Sequence, residues 1–266
     1  MKKFFFESEM KAPQPFPFPG GELVVFSRRS AMKDTPNEDA AALIPRDGTA
    51  GLLAVCDGVG GLPGGERASR TVIECLAEQI EKSGDSEIQL RTSILDGVEA
   101  ANLRLLSEGK GSATTLVVAE IEGRSVRPYH VGDSQILITG QRGLVKLQTL
   151  SHSPIGFAQE SGMIDESDAL HHEDRHLVSN LVGTAEMRIE IGPSQRLALH
   201  DTLLLATDGL FDNLYNDELV EMIRKGPLMA AAERVIERVT ARMSAPKAGE
   251  PSKADDLAFI LYRRSR

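Results

Sequence analysis

At five places in this 266-residue chain aspartate stands where a charge is costly, at the end of an apolar run. Asp39 precedes Ala-Ala-Ala-Leu-Ile, Asp57 follows Leu-Leu-Ala-Val-Cys, and Asp133 follows Tyr-His-Val-Gly. Asp208 follows Leu-Leu-Leu-Ala-Thr, and Asp255 with Asp256 precedes Leu-Ala-Phe-Ile-Leu. Asp-Gly pairs form turns on their own, and an aspartate before a strand is an ordinary cap, so no single one defines a site. Repeated in the same setting, they predict carboxylates gathered on one rim of a core, where their repulsion calls for a cation. An all-oxygen donor set selects a hard ion such as Mg2+ or Mn2+. Two ions about 4 Å apart can activate a water for attack on a phosphoryl group.

The elements that must position these acids are legible as short apolar runs. Glu22–Arg28, Ala40–Pro45, Gly51–Cys56, 114–121, Ser125–Val131, Gln135–Thr139, 144–147, Thr202–Ala206 and Leu257–Tyr262 read as strands. Ala68, Val72, Leu76 and Ile80 recur every four residues on a helical face, and Ile94, Val98, Ala101 and Leu105 repeat the pattern. Helices are also predicted over 217–224 and 228–243, with a loop at 244–252 and a small helical insertion at 151–175. Runs of strands interrupted by paired helices predict antiparallel sheets covered by helices. Residues 1–20 carry four prolines between Pro13 and Pro19 and read as an extended tail, leaving 21–266 as a single domain.

Composition narrows the function classes. With 41% hydrophobic residues the chain can bury one sizeable core. A formal charge of −9 argues against a grip on nucleic acid by phosphate neutralisation. No run reaches the ~18 apolar residues of a membrane span. Met1-Lys-Lys-Phe-Phe-Phe begins like a signal peptide but meets acid after three apolar residues, so a cytoplasmic location is expected. Two cysteines are too few for a disulfide scaffold, and Cys56, inside an apolar strand, reads as a core residue.

The ordered motifs resemble the protein phosphatase 2C family, the metal-dependent serine/threonine phosphatases, in its compact bacterial form. Asn37-Glu-Asp-Ala40 is similar to the first acidic motif, and the ungapped run from Asp57-Gly-Val-Gly-Gly to Gly65-Glu-Arg-Ala-Ser69 to its glycine-rich signature. Gly111-Ser-Ala-Thr-Thr-Leu116, Val131-Gly-Asp-Ser134, Thr207-Asp-Gly-Leu210 and Asp255-Asp-Leu257 follow in the family's order. The resemblance implies an α+β fold: a central β-sandwich of two antiparallel sheets flanked by helix pairs, with a flap at about 151–174 beside the site. It implies hydrolysis of phosphoserine and phosphothreonine esters by a water activated between two Mg2+ or Mn2+ ions. By position, Asp57 would bridge the ions, the Gly58 carbonyl would join one, and Asp39 would act directly or through water. Asp208 and Asp255 would ligate the second ion, and Asp133, sharing Asp208, a weaker third. The partners implied are phosphorylated proteins and an opposing Ser/Thr kinase.

The chain departs from the family at four positions. The arginine that grips substrate phosphate, five residues before Asp39, is here Asp34, so neighbouring Lys33 is expected to serve as a point charge. Val59 stands where some members carry a general-acid histidine, Gln135 replaces an arginine, and Asp256 an asparagine. Two other readings compete. His172-Glu173-Asp-Arg-His176 satisfies the H-E-x-x-H zinc-protease pattern, with Glu186 or Glu190 as a third ligand. A catalytically silent phosphoprotein-binding module on the same fold is the alternative in another class. The glycines of 58–65 fail as a dinucleotide loop because Pro63 holds the third glycine position.

Overall fold

The computed structural model describes residues 1–59, 64–84 and 89–265, so Gly60–Pro63 of the glycine-rich run lie outside the described residues. In chain order the first elements are β1 (Lys3–Phe6), β2 (Gln14–Phe18), β3 (Gly21–Arg28), β4 (Asp39–Pro45), β5 (Ala50–Asp57), α1 (Gly65–Ser83) and α2 (Leu90–Glu108). Next come β6 (Leu116–Glu122), β7 (Ser125–Val131), β8 (Gln135–Thr139), β9 (Val145–Gln148), α3 (Pro154–Glu160), α4 (Glu166–His171) and a 3-10 turn at Glu173–His176. The remainder are β10 (Glu190–Ile191), β11 (Gln195–Arg196), β12 (Thr202–Ala206), α5 (Asp208–Phe211), α6 (Asn216–Ile223), α7 (Leu228–Ser244) and β13 (Leu257–Arg264).

Two antiparallel sheets face each other. One has the order β1-β4-β5-β6-β7-β10, with β11 also on β7, and the other β2-β3-β13-β12-β8-β9. Side chains alternate across each strand. On β4 and β5, Ala41, Leu43, Leu53 and Val55 turn toward the opposite sheet. Ala40, Ala42, Ile44, Leu52, Ala54 and Cys56 turn outward, onto Val72, Leu76, Ile94 and Val98 of α1 and α2. The second sheet is covered in the same way by α6 and α7 through Leu219, Ile223, Val235 and Val239. Strands buried on both faces have no polar side, which is why they read as unbroken apolar runs. The expected α-β-β-α layering is what the chain adopts.

The first twenty residues, expected as an extended tail, enter the sheets. β1 pairs with β4 and β2 with β3, so each sheet gains an edge strand. Phe5 and Phe16 lean on the inter-sheet core with ring centroids 5.5 Å apart. Pro15 and Pro17 lack N–H donors, and an edge strand with one neighbour tolerates that loss. The prolines make this stretch extended, as expected; the phenylalanines dock it. Removing residues 1–19 should therefore uncover the edges of β3 and β4, lowering the urea midpoint and causing concentration-dependent association in size-exclusion chromatography. An unchanged midpoint and elution would mean the two strands are accessory.

Candidate metal centre

All the aspartates read from the sequence meet at one end of the sandwich. Asp39 opens β4 and Asp57 closes β5, and the antiparallel register sets these two directly opposite each other. Asp208 follows β12 through Thr207, at the start of α5, and Asp255 precedes the adjacent β13. Asp133 lies in the turn between β7 and β8. Asp39, Asp133 and Asp208 are buried, and Asp57 and Asp255 are half-buried. One oxygen each of Asp39, Asp133 and Asp208 is buried without a hydrogen-bond partner. A buried, unpartnered carboxylate oxygen is costly. Several such oxygens at one end of the sandwich form an all-oxygen donor set, which suits Mg2+ or Mn2+.

The backbone around these acids is fixed by the polar residues of the neighbouring motifs. Asp57 N–H donates to Thr115 Oγ1 at 3.1 Å, and its carbonyl accepts from Thr115 N–H at 2.9 Å and Thr114 Oγ1 at 2.8 Å. Thr207 Oγ1 donates to Asp39 Oδ2 at 3.0 Å. Gly58 allows the start of α1 to approach, because a Cβ there would sit 2.3 Å from the Gly65 backbone. Gly209 is as constrained, since its Cβ would lie 1.9 Å from the Asp256 carbonyl oxygen. Asp256 lies beside Asp39 but spends its oxygens on backbone. It accepts the N–H groups of Ser30 at 2.7 Å and Glu38 at 2.9 Å, closing the loop that carries Lys33.

Two lysines answer the acids. Lys33 Nζ lies 2.8 Å from Asp255 Oδ1, 3.3 Å from Asp256 and 3.4 Å from Glu38, at the rim of the centre. Lys253, which no sequence motif marks, contacts Asp208, Asp212 at 3.0 Å and Asp255 Oδ2 at 3.3 Å. Asp212 also escapes the sequence reading. It stands one helical turn after Asp208, a spacing that could have drawn notice. Burial, then the neighbouring carboxylates, pushes Asp39, Asp57 and Asp133 well above the usual carboxylate range. Burial raises Asp212 to about 6 against the pull of Lys253. At Asp208 burial is overcome by Lys253, and the carboxyl is held below its ordinary value.

The zinc-protease reading is not supported by the geometry. His172 and His176 bound a 3-10 turn, where residues four apart point roughly 120° from one another rather than to one face. His172 Nδ1 accepts Asp174 N–H at 3.1 Å, and His176 Nδ1 donates to Glu173 O at 2.8 Å. Glu190 is engaged elsewhere, by His152 Nε2 at 3.0 Å. Among the described residues, His130, His152 and Glu190 form the one group of three such ligand atoms within 4.8 Å. The Gly132 N–H donates to His152 Nδ1 at 3.1 Å, which leaves the ring proton on Nε2 for Glu190. His152, stacked on His130 with ring centroids 4.3 Å apart, is thereby fixed in place. His152 N–H also returns to Gly132 O at 3.0 Å, and Ser179 N–H binds His152 O at 2.8 Å, pinning both ends of the flap beside Asp133. The flap carries α3 and α4, and with Asp133, Asp208 and Asp212 it walls a groove of about 400 Å3.

This fold and acidic end define the metal-dependent phosphatase class, and the comparisons agree. Residues 28–250 match the family model for protein phosphatase 2C. A protein phosphatase 2C-type protein of Streptococcus pyogenes is 28% identical over 179 residues, 65% of this chain and 72% of that one. The serine/threonine phosphatase Stp1 of Staphylococcus aureus superposes with a TM-score of 0.80 at 26% identity, over 94% of this chain and 98% of that one. The catalytic domain of the phosphatase PstP in complex with two manganese ions shares the fold, with a TM-score of 0.69 at 23% identity over 92% and 98%. The chain belongs to the protein phosphatase 2C family of protein-serine/threonine phosphatases. Among the described residues no helix is long and apolar enough to cross a membrane.

Without ions, folding favours the neutral forms of Asp39, Asp57, Asp133 and Asp212, whose folded values exceed their unfolded ones. Their contribution is present below the ordinary carboxylate range and is lost as pH rises through the folded values. His130, lowered by burial to about 4, has the opposite sign, its contribution being lost as pH falls from its ordinary value of 6.5. The contribution of Asp212 is largely lost by about pH 6, and the three carboxylates held well above their ordinary range outweigh one imidazole, so the metal-free protein should melt higher at about pH 6 than at about pH 8. Mn2+ should give the larger thermal shift at the higher pH. A melting temperature that climbs with pH in the absence of metal would contradict this electrostatic account.

Proposed function

We propose that the chain hydrolyses phosphoserine and phosphothreonine esters of proteins, with water as nucleophile and divalent ions held by the strand-end aspartates. The observation that carries this reading is the set of unpartnered carboxylate oxygens on Asp39, Asp133 and Asp208, facing the same end of the sandwich as Asp57 and Asp255. Asp57 and the Gly58 carbonyl would hold one ion, Asp208 and Asp255 with Asp57 a second, and Asp39 would act directly or through water. The family resemblance adds Asp133 with Asp208 for a third. Bound ions would supply Lewis acidity there, lowering the pKa of a water and neutralising phosphoryl charge. The manganese seen with the related PstP domain supports Mn2+, while the oxygen donors suit Mg2+ equally.

The remaining roles fall to the chain's own side chains. Lys33 reaches the rim opposite Asp255 and would draw the substrate phosphate as a point charge. Burial works to lower its pKa, but Asp255 and Asp256 raise it, so it stays an ammonium. Thr207 holds Asp39 in place, and Thr114 and Thr115 hold Asp57. Proteins carrying these phosphoesters, a Ser/Thr kinase that makes them, and a cytoplasmic setting complete the proposal.

The deciding assay is p-nitrophenyl phosphate and phosphopeptide hydrolysis with Mn2+. Turnover should be abolished by EDTA, and Asp57→Asn should reduce it by at least about 100-fold. Lys33→Ala should raise KM on the order of tenfold with a smaller change in kcat, as loss of a charged phosphate contact predicts. Phosphopeptide binding without EDTA-sensitive turnover would instead identify a silent binding module.

A further inference from the structure

The end of the sandwich away from the aspartates carries charge of the other sign. β13 runs from Leu257, two residues past Asp255, to Arg264, a span of roughly 25 Å at the usual strand rise. At that far end Arg124, Arg196 and Arg264 line a cavity of about 540 Å3 together with Leu197, Ala198 and Leu199. Arg124 lies in the turn between β6 and β7 and Arg196 on β11, in one sheet, whereas Arg264 ends β13 in the other. The cavity is therefore shared by both sheets.

Elsewhere on this acidic chain arginines face carboxylates, as Arg67 does Glu108, Arg70 Glu7 and Arg242 Glu218. Among the described residues, the three guanidiniums at the cavity form no ion pair and no side-chain hydrogen bond, and no acid lines it. The acids close by in sequence are engaged otherwise. Glu122 lines a separate cavity with Arg91 and Arg127, and Glu22 is the register partner of Arg263. Asp201 is buried, its Oδ2 accepting Lys146 Nζ at 2.6 Å and Ala198 N–H at 2.7 Å. That bond shapes the loop after β11, and Leu197 N–H on the Arg124 carbonyl at 2.8 Å fixes it to the β6–β7 turn. Three cations around one space repel, an arrangement that an anion between them would relieve. Guanidinium forks match phosphate oxygens in bidentate geometry, and the volume is that of a small-molecule site. Six lining residues bound a compact space, half of it apolar, and not a track for an extended chain.

We propose that this cavity binds a small organic phosphate with two or more phosphoryl groups, of the nucleoside diphosphate kind. Its anionic end would lie on Arg124, Arg196 and Arg264 and its body on Ala198 and Leu199, tying the two sheets together. Calorimetric titration of the metal-free protein with ADP in EDTA tests the cavity independently of the metal centre. ADP should bind at one site per chain and raise the melting temperature. Arg196→Gln and Arg264→Gln should each weaken it about tenfold, as loss of a charged phosphate contact predicts, while Lys33→Ala should bind as the wild type does. Arg196 is exposed on a two-residue strand, so its variant decides even where Arg264→Gln lowers stability. No ADP bound by the wild type, or equal affinity in Arg196→Gln, would overturn the proposal. Binding lost in Lys33→Ala but kept in Arg196→Gln would move the ligand to the aspartate end and overturn it as well. A poly-glutamate peptide bound more tightly than ADP would make the occupant an acidic protein segment, against the small-molecule assignment.

Discussion

Carboxylates held at one end of a rigid sandwich repel one another, and the architecture around them is organised by that repulsion. Asp39 and Asp57 are register partners on adjacent strands, so their separation is set by the sheet and not by their own preference. Two full charges about 5 Å apart at an effective dielectric near 20 repel by roughly 3 kcal/mol. Neither strand can retreat, because both are buried on two faces. The protein answers by letting burial favour protonation, by bringing two lysines to Asp255, and by leaving oxygens open for cations. The stiff core is what allows an unfavourable charge arrangement to persist until an ion meets it.

The surrounding residues divide the work. Threonine hydroxyls orient Asp39 and Asp57, glycines at 58 and 209 let the neighbouring backbone close in, and Asp256 commits both oxygens to the Ser30–Glu38 loop. The family's usual asparagine would offer one acceptor there. The carboxylate offers two and also faces Lys33, so the departure at 256 and the lysine beside the departure at 34 are linked in space. Lys33 and Lys253 take opposite oxygens of Asp255, one from the loop before β4 and one from the loop before β13. The flap is joined to the same end through His152 and Gly132.

Much of this is legible without coordinates. Strands buried on both faces leave continuous apolar runs, and α1, α2 and α7 leave fourfold spacing, so both announce themselves. The five aspartates are visible because each interrupts such a run. What escapes has physical reasons. α5 is a single turn, too short for any period, so nothing local joins Asp212 to Asp208. β10 and β11 are two-residue pairings on β7 that depend on their partner and not on their own composition. β1 and β2 are hidden by a proline-rich stretch whose docking depends on Phe5 and Phe16 finding each other across the sandwich. Lys253 sits in a Pro-Ser loop, and the buried Asn213, forty residues away, with Arg175 on the neighbouring Ser252, decides where it points. Long-range clamps of that kind carry no local signature.

The place of β13 has a consequence for synthesis. It comes after every other described strand in the chain but lies in the middle of its sheet, between β3 and β12. A nascent chain emerging in order would hold β3 and β12 apart, with an open seam between them, until residues 257–264 cleared the ribosome. Asp255 and Lys253 arrive just ahead of that strand. An unfinished polypeptide thus possesses most of the acidic cluster but neither its closing carboxylate nor its lysine, and the high separation of β3 from β13 makes that last pairing a slow step. The topology thereby leaves the sheet and the acidic end incomplete until this region has been translated.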